Sequence, residues 1–262
     1  MYILGIESTT ERLFTAVSFK GKLLSQMEVK NSRKHMVGII GVVDKVLKDS
    51  GISLESINVF AANIGPGDFT GTRIGLSIIK TFSWVKSRKS CGVSALDVYA
   101  VRALFKNIKD IEARLKKGED VAICPILDVR NKELYFSFYK LFKEQDQKKN
   151  KVVCCLEVGG HRYFLKKTGQ NHLVKAFEMK ESFLPLIEGH CYYICGNSFL
   201  NYKDLLRDIG KSTRRLILDK GVAYPDAASL NKAAFFKAAR EEEKNLVPVY
   251  IREFVPFGGK DG

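Results

Sequence analysis

Residues 65–75 read GPGDFTGTRIG, four glycines in eleven positions between an apolar run and a helical pattern. Glycine loses more conformational freedom on folding than any other residue, so this density must serve a purpose. Val59–Ile64 reads as a buried strand before it, and an amphipathic pattern runs from about Thr70 to Lys86 after it. The whole is a strand–loop–helix unit, with Asp68 or Thr70 as helix N-cap and backbone N–H groups aimed at whatever lies above the loop. The spacing is neither GxxxxGK[ST] nor GxGxxG, so no named phosphate motif is present. On a helical projection Ile74, Val85, Ile78, Gly71, Phe82, Gly75 and Ile79 share the stripe expected to be buried. Gly71 and Gly75, one turn apart near its middle, suit close approach of helix to sheet. The opposite face carries Arg73, Leu76, Lys80 and Trp84. Leu76 and Trp84, apolar and off that stripe, mark either a partner surface or packing under a loop.

The rest of the chain frames this unit. Tyr2–Ile6, Leu13–Phe19 and Lys22–Val29 read as three strands, the last two joined by a Lys20-Gly21 turn. His35–Lys48 reads as a helix with Met36, Ile39, Ile40, Val43, Val46 and Leu47 inward and Gly51 at its end. Cys91–Leu96 predicts a short strand with a helix start at Ser94. From Val121, VAICPILDVRNKELYFSFYKLF repeats the N-terminal pattern of strand, acid, turn and strand, with Asp128 in the place of Glu7. QDQKKNK (145–151) predicts a solvated hairpin loop. Strands are expected at Tyr192–Cys195 and Leu216–Leu218, a helix from Asp226 to about Glu243, and an extended tail after it. This gives an N-terminal α/β lobe over 1–105, a second over 106–225, and a segment 226–262 returning to the first.

Composition excludes several classes. No stretch of about 18 residues is wholly apolar and the start lacks a basic leader, so a cytoplasmic protein is expected. The six cysteines lie mostly in apolar strands and read as reduced core thiols. Cys191 and Cys195 near His190 lack a second ligand pair for zinc. The net charge of +14 is spread, +6 over residues 1–105 and +8 over the remainder. It permits contact with RNA or an acidic partner without specifying either.

Glu7, Ser8, Thr9 and Thr10 follow the first strand. Such a turn can hold phosphate through hydroxyls and N–H groups, although Ser and Thr favour turns without any ligand. No nucleophile–base pair stands out. His35, His161, His172 and His190 form no HExxH-type pattern. The residues alone suggest a soluble two-lobed α/β protein with a link to nucleotides left open, and single out no catalytic residue and no metal site.

ILGIESTTE, NIGPGDFTGTRIG, GVSALD, PILDVRNKELYFSFY and PVYIR together resemble the TsaB (YeaZ) family, in order and spacing over most of the chain. That resemblance implies an actin-like ATPase/sugar-kinase (ASKHA) fold, two related α/β lobes around a cleft. It also implies a non-catalytic scaffold and activator in the formation of threonylcarbamoyladenosine, next to the anticodon of tRNAs reading codons that start with A. The implied partners are a catalytic TsaD-type subunit, a TsaE-type P-loop ATPase, a second copy of the chain, and tRNA indirectly. The pairing surface would be the first two helices, with His35, Gly38, Gly41, Val42, Arg73, Leu76, Lys80 and Trp84. TsaD carries an HxxxH metal pair on its first helix. Here His35 is followed by Val37 and Ile39, and a lone histidine cannot grip that metal. Glu7 stands where the family usually has Asp, and Asp68 where Ser is usual. Both point to a degenerate nucleotide site around Glu7, Ser8, Thr9, Thr10, Gly65, Gly67 and Asp128, with no cofactor required and ATP or ADP binding left open. The alternative is an independent glycoprotease-like or nucleotide-hydrolysing enzyme of the same fold.

Overall fold

The computed structural model describes residues 1–30, 38–144, 152–187, 189–239 and 246–251. The first sheet contains β1 (Tyr2–Glu7), β2 (Leu13–Phe19), β3 (Lys22–Val29), β4 (Val59–Asn63) and β5 (Lys89–Val93) in the order β3-β2-β1-β4-β5. β1 and β2 pair antiparallel, as do β2 and β3. β1, β4 and β5 run parallel, joined by helical crossovers. The second sheet contains β6 (Val121–Asp128), β7 (Glu133–Lys143), β8 (Val152–Val158), β9 (His161–Lys175), β10 (Cys191–Cys195) and β11 (Leu216–Leu218). Its order, β11-β10-β6-β7-β9-β8, reproduces the first sheet strand for strand, with β8 added at one edge. The directions match as well: β6/β7 and β7/β9 are antiparallel, β6/β10 and β10/β11 parallel. Glu7 and Asp128 close the corresponding strands β1 and β6.

Helices fill three layers around the sheets. α1 (Ile39–Ser50) and α2 (Phe69–Val85) cover the outer face of the first sheet, where Val43, Val46, Leu76 and Ile79 meet Leu4, Ile6, Phe60 and Ala62. α5 (Met179–Phe183), α6 (Ser198–Asn201) and α7 (Lys203–Lys211) cover the outer face of the second. Between the sheets lie α3 (Ala95–Lys106), with α4 (Ile108–Lys116) after it, and α8 (Ala227–Ala238). One core runs from Ile3 and Val59 through Leu104, Leu230 and Ala234 to Tyr139 and Leu165. α8 lies on the first lobe. Its buried Asn231 donates to the carbonyls of Ile3 (3.2 Å) and Ala16 (2.9 Å), and Gly5 leaves room for the amide: a Cβ there would stand 2.0 Å from Asn231 Oδ1.

Several expectations shift. α8 ends at Ala238 rather than Glu243, and residues 240–245 lie outside the described set. So do His35, Met36 and loop 145–151. Ile40, expected inward on α1, is 55% exposed, and Val85, expected inward on α2, is 60% exposed. Leu76, expected on the outer face, is 3% exposed. The cause is rotation of α2. With no Cβ at Gly71 or Gly75, the helix settles on the turn after β1, so the stripe Gly71, Thr72, Gly75, Leu76 and Ile79 faces the sheet. Leu76 is therefore core, not partner surface.

Candidate functional site

The glycine loop and the β1–β2 turn fit together without a gap. A Cβ at Gly71 would lie 2.0 Å from the Ser8 carbonyl, at Gly75 2.3 Å from Ser8 Oγ, and at Gly67 2.4 Å from the Thr9 carbonyl. Ser8 Oγ donates to the Gly71 carbonyl (2.8 Å), and the Asp68 N–H donates to the Thr9 carbonyl (2.7 Å). Asp68 caps α2 by accepting from the Gly71 N–H at 2.9 Å, typically worth about 1 kcal/mol.

Glu7 is fully buried beneath this junction. Its carboxyl accepts from the Thr9 N–H (2.9 Å), the Thr9 hydroxyl (2.6 Å) and the Asn63 amide. Asn63 in turn accepts from the Gly65 N–H at 2.9 Å. Burial pushes the Glu7 carboxyl above the ordinary range against these hydrogen bonds. The second lobe repeats the device closer to solvent. Asp128 accepts from the Arg130 N–H (2.9 Å) and Asn201 (2.7 Å), and its own N–H donates to Asn197 (2.8 Å). Each lobe thus holds a carboxylate at the end of its central strand, bonded to the N–H two residues on and to an asparagine amide.

A cleft of about 290 Å³ lies between these junctions. Of the expected site residues, Thr9, Thr10, Gly67 and Asp128 line it. Glu7, Ser8 and Gly65 do not: Ser8 is bonded to α2, and the Gly65 carbonyl accepts from Ala95 (2.8 Å). The Thr10 hydroxyl closes its own turn with Arg12. The lining carries four carboxylates, on Glu11, Asp68, Asp128 and Glu133, against the guanidinium of Arg130. Two of the four are paired, Glu133 with Lys175 at 2.8 Å and Asp68 with Arg130.

Sequence reading missed three contributors. Asn63 and Asn197 each stand at or just beyond an apolar strand, in VFAAN and YYICGN, and that repetition was a usable signal. Arg130 sits in a hairpin turn where Arg130, Asn131 and Lys132 all have left-handed backbone, and its side chain reaches Asp68 across the cleft at 3.6 Å. Residues 246–251 run along the glycine loop: the Val249 N–H donates to the Ile64 carbonyl (2.7 Å), and Tyr250 accepts from Arg73 Nε (2.8 Å) beside Phe69. Arg73, expected on the partner surface, is engaged within the chain. Among the described residues, no three or more His, Cys, Asp or Glu side chains are grouped to hold a metal ion, and no helix is long and apolar enough to cross a membrane.

Gly38, the N-cap residue of α1, and Gly41 within it are exposed, with no atom within 4 Å of a Cβ placed on either. Val42 is half-buried, Lys80 is exposed and Trp84 is 81% exposed.

The duplicated sheets around a cleft define a two-lobed α/β protein of the actin-like, sugar-kinase class. A family model described as "TsaD: tRNA N6-adenosine threonylcarbamoyltransferase" matches residues 26–257, and the chain belongs to that family, in its TsaB (YeaZ) branch. It is similar to the tRNA threonylcarbamoyladenosine biosynthesis protein TsaB of Escherichia coli, 31% identical over 53% of this chain and 55% of the relative. It is also similar to the tRNA N6-adenosine threonylcarbamoyltransferase of Desulfotalea psychrophila, 33% identical over 40% of this chain and 36% of the relative. The alignments with the TsaB relatives cover about half of their length. YeaZ from Pseudomonas aeruginosa shares the fold at 21% identity, with a TM-score of 0.67 over 95% of this chain and 99% of that one.

Proposed function

We propose that the chain is a non-catalytic scaffold and activator in the formation of threonylcarbamoyladenosine on tRNA, acting by heterodimerisation with a TsaD-type catalytic subunit. The observation that carries this reading is Trp84, an aromatic 81% exposed on a helix whose inward face is already packed. Exposed indole on an ordered helix is the residue type that anchors protein interfaces. Nearby on the same face of the sheet, Ile40 of α1 and Phe82 of α2 line one apolar groove, and Gly38 and Gly41 leave the outer side of α1 open to a close partner backbone. In the absence of the catalytic subunit the same surface pairs two copies of this chain. A TsaE-type ATPase and tRNA join through the assembled complex.

Two features support the lack of independent catalysis. Glu7 is sealed under the glycine loop, and the cleft lining is acidic, so the chain requires no ATP or ADP of its own. Ile39, at the place of the second metal histidine of the transferases, is 1% exposed and packed into the first-lobe core.

The test is a pull-down with the cognate TsaD-type subunit, comparing the wild type with Trp84→Ala and Gly41→Arg, together with reconstituted tRNA modification. Loss of pairing and of modification in both variants is expected. Wild-type-like pairing in both would discard the α1/α2 surface, and modification that proceeds without this chain would discard the activator role.

A further inference from the structure

A basic feature lies away from both the cleft and the α1/α2 surface. The β2–β3 turn, the C-terminal half of α3 and the first turns of α8 enclose a groove of about 540 Å³. Its walls include Lys22, Leu23, Arg102, Phe105, Lys106 and Lys232, against one acidic side chain, Asp226. Asp226 is committed to Arg102 at 3.0 Å and to the N-cap of α8, and Lys106 is balanced by Asp219 at 2.8 Å. Lys22 and Lys232 remain. Among the described residues no carboxylate forms an ion pair with either. Lys232 is half-buried, with its ammonium 3.7 Å from the centre of the Phe105 ring. Burial holds that ammonium below lysine's ordinary value. Two cations held in one groove with no ion-pair partner among the described residues favour an incoming anion.

We propose that this groove takes the backbone phosphates of an RNA, with Lys22 and Lys232 as contacting cations and Lys106 at the rim. The groove favours a phosphodiester over a free nucleotide. The Lys232 ammonium already stands on a face of Phe105, so that face offers no platform for a base. Besides the lysine and arginine side chains, the groove is lined by Gly21, Leu23, the Phe105 ring, Ala228, Ser229 and Asp226, and among the described residues Phe105 is its one aromatic ring. Phosphate contact needs only spaced positive charges. Lys20 and Lys220, both exposed and next in sequence to Gly21 and Asp219, extend the positive surface beyond the groove. Identifying the RNA as tRNA rests on the proposed function.

The test uses the full chain and fluorescently labelled tRNA, with anisotropy measured across a salt series. Lys22 is exposed at the first residue of β3, and the Lys22→Glu variant and the double variant that adds Lys232→Gln are both checked for folding by circular dichroism. Lys180→Glu, on the far side of the second lobe, is the control. Each lost phosphate contact should lower the salt slope by roughly 0.7–0.9. Lys22→Glu should weaken binding several-fold and the double variant at least tenfold, with Lys180→Glu within twofold of the wild type. Wild-type affinity in the folded double variant overturns the groove, as does a wild-type chain that does not bind tRNA. Calorimetry with tripolyphosphate is the second arm, and saturable micromolar binding lost in the double variant would replace RNA by a small anion. Pull-down of the TsaD-type subunit is run in parallel. Failed pairing with intact RNA binding removes the assembly and leaves the groove standing.

Discussion

Asp68 and Arg130 face each other across the cleft with their charged groups 3.6 Å apart, one from each lobe. Asp68 does two things at once: one oxygen caps α2 and the other meets the guanidinium. The two roles differ in worth. Arg130 is 76% exposed, and exposed pairs contribute about 0–1 kcal/mol, whereas a lost N-cap typically costs about 1 kcal/mol. Asp68→Ala should lower unfolding stability by about 1 kcal/mol or more in a urea titration. Arg130→Ala should change it by less than about 0.5 kcal/mol. Equal losses would mean that the bridge, not the cap, holds this junction.

The glycines of α1 and α2 should respond in opposite directions. A Cβ at Gly75 meets Ser8 Oγ at 2.3 Å, so Gly75→Ala forces the helix off the turn and should cost about 1–3 kcal/mol or more. Gly41 is helical with open space around it, so Gly41→Ala should stabilise the chain by up to about 1 kcal/mol. Thermal melts of the two variants decide the matter.

Glu7 sets a pH dependence. Its carboxyl titrates above the ordinary range in the folded chain because burial disfavours the charge. Between the unfolded and the raised folded value the native state binds more protons than the unfolded state. That contribution to stability therefore falls as pH rises from about 4.3 through the raised value. Urea midpoints from pH 4 to 7 should carry this falling component, and Glu7→Gln should remove it. An unchanged slope in the variant would mean that Glu7 does not titrate in this window.

Asn231 ties α8 to two strands of the first sheet. Asn231→Ala loses two hydrogen bonds to buried carbonyls and opens space beside Gly5, with an expected loss of about 1–3 kcal/mol. Hydrogen exchange at β1 and β2 should rise in the same variant. Protection unchanged from wild type would show that α8 is held by apolar packing alone.

Much of the architecture was legible from period and punctuation. β2, β3 and β11 have the bounds that their apolar, β-branched and aromatic runs and the turn residues around them predict, and β3 alone of the three carries the two-residue period of a half-buried strand. The echo of Glu7 in Asp128 was visible because equivalent strands end on equivalent residue types. The inward faces of α1 and α2 were only partly legible. A helical stripe shows which residues share a side but not which flank is drawn against the sheet, and Leu76, Ile40 and Val85 fell on the wrong side of that margin.

Chain order alone showed the strand–loop–helix unit around Gly65–Gly75 and the Glu7/Asp128 echo of two α/β lobes, each written in local periodicity or residue type, and the break in the metal pair at Ile39 followed from the family resemblance. Tertiary structure decided what those residues touch. Glu7 is sealed rather than open to the cleft because Asn63, 56 positions away, lies beside it. Arg73 is engaged because Tyr250, 177 positions away, returns to the glycine loop. Lys22 and Lys232 share one groove because α8 folds back over the first sheet. Contacts of such separation leave no periodic trace in a single sequence, since they depend on where whole elements pack rather than on how each one is built.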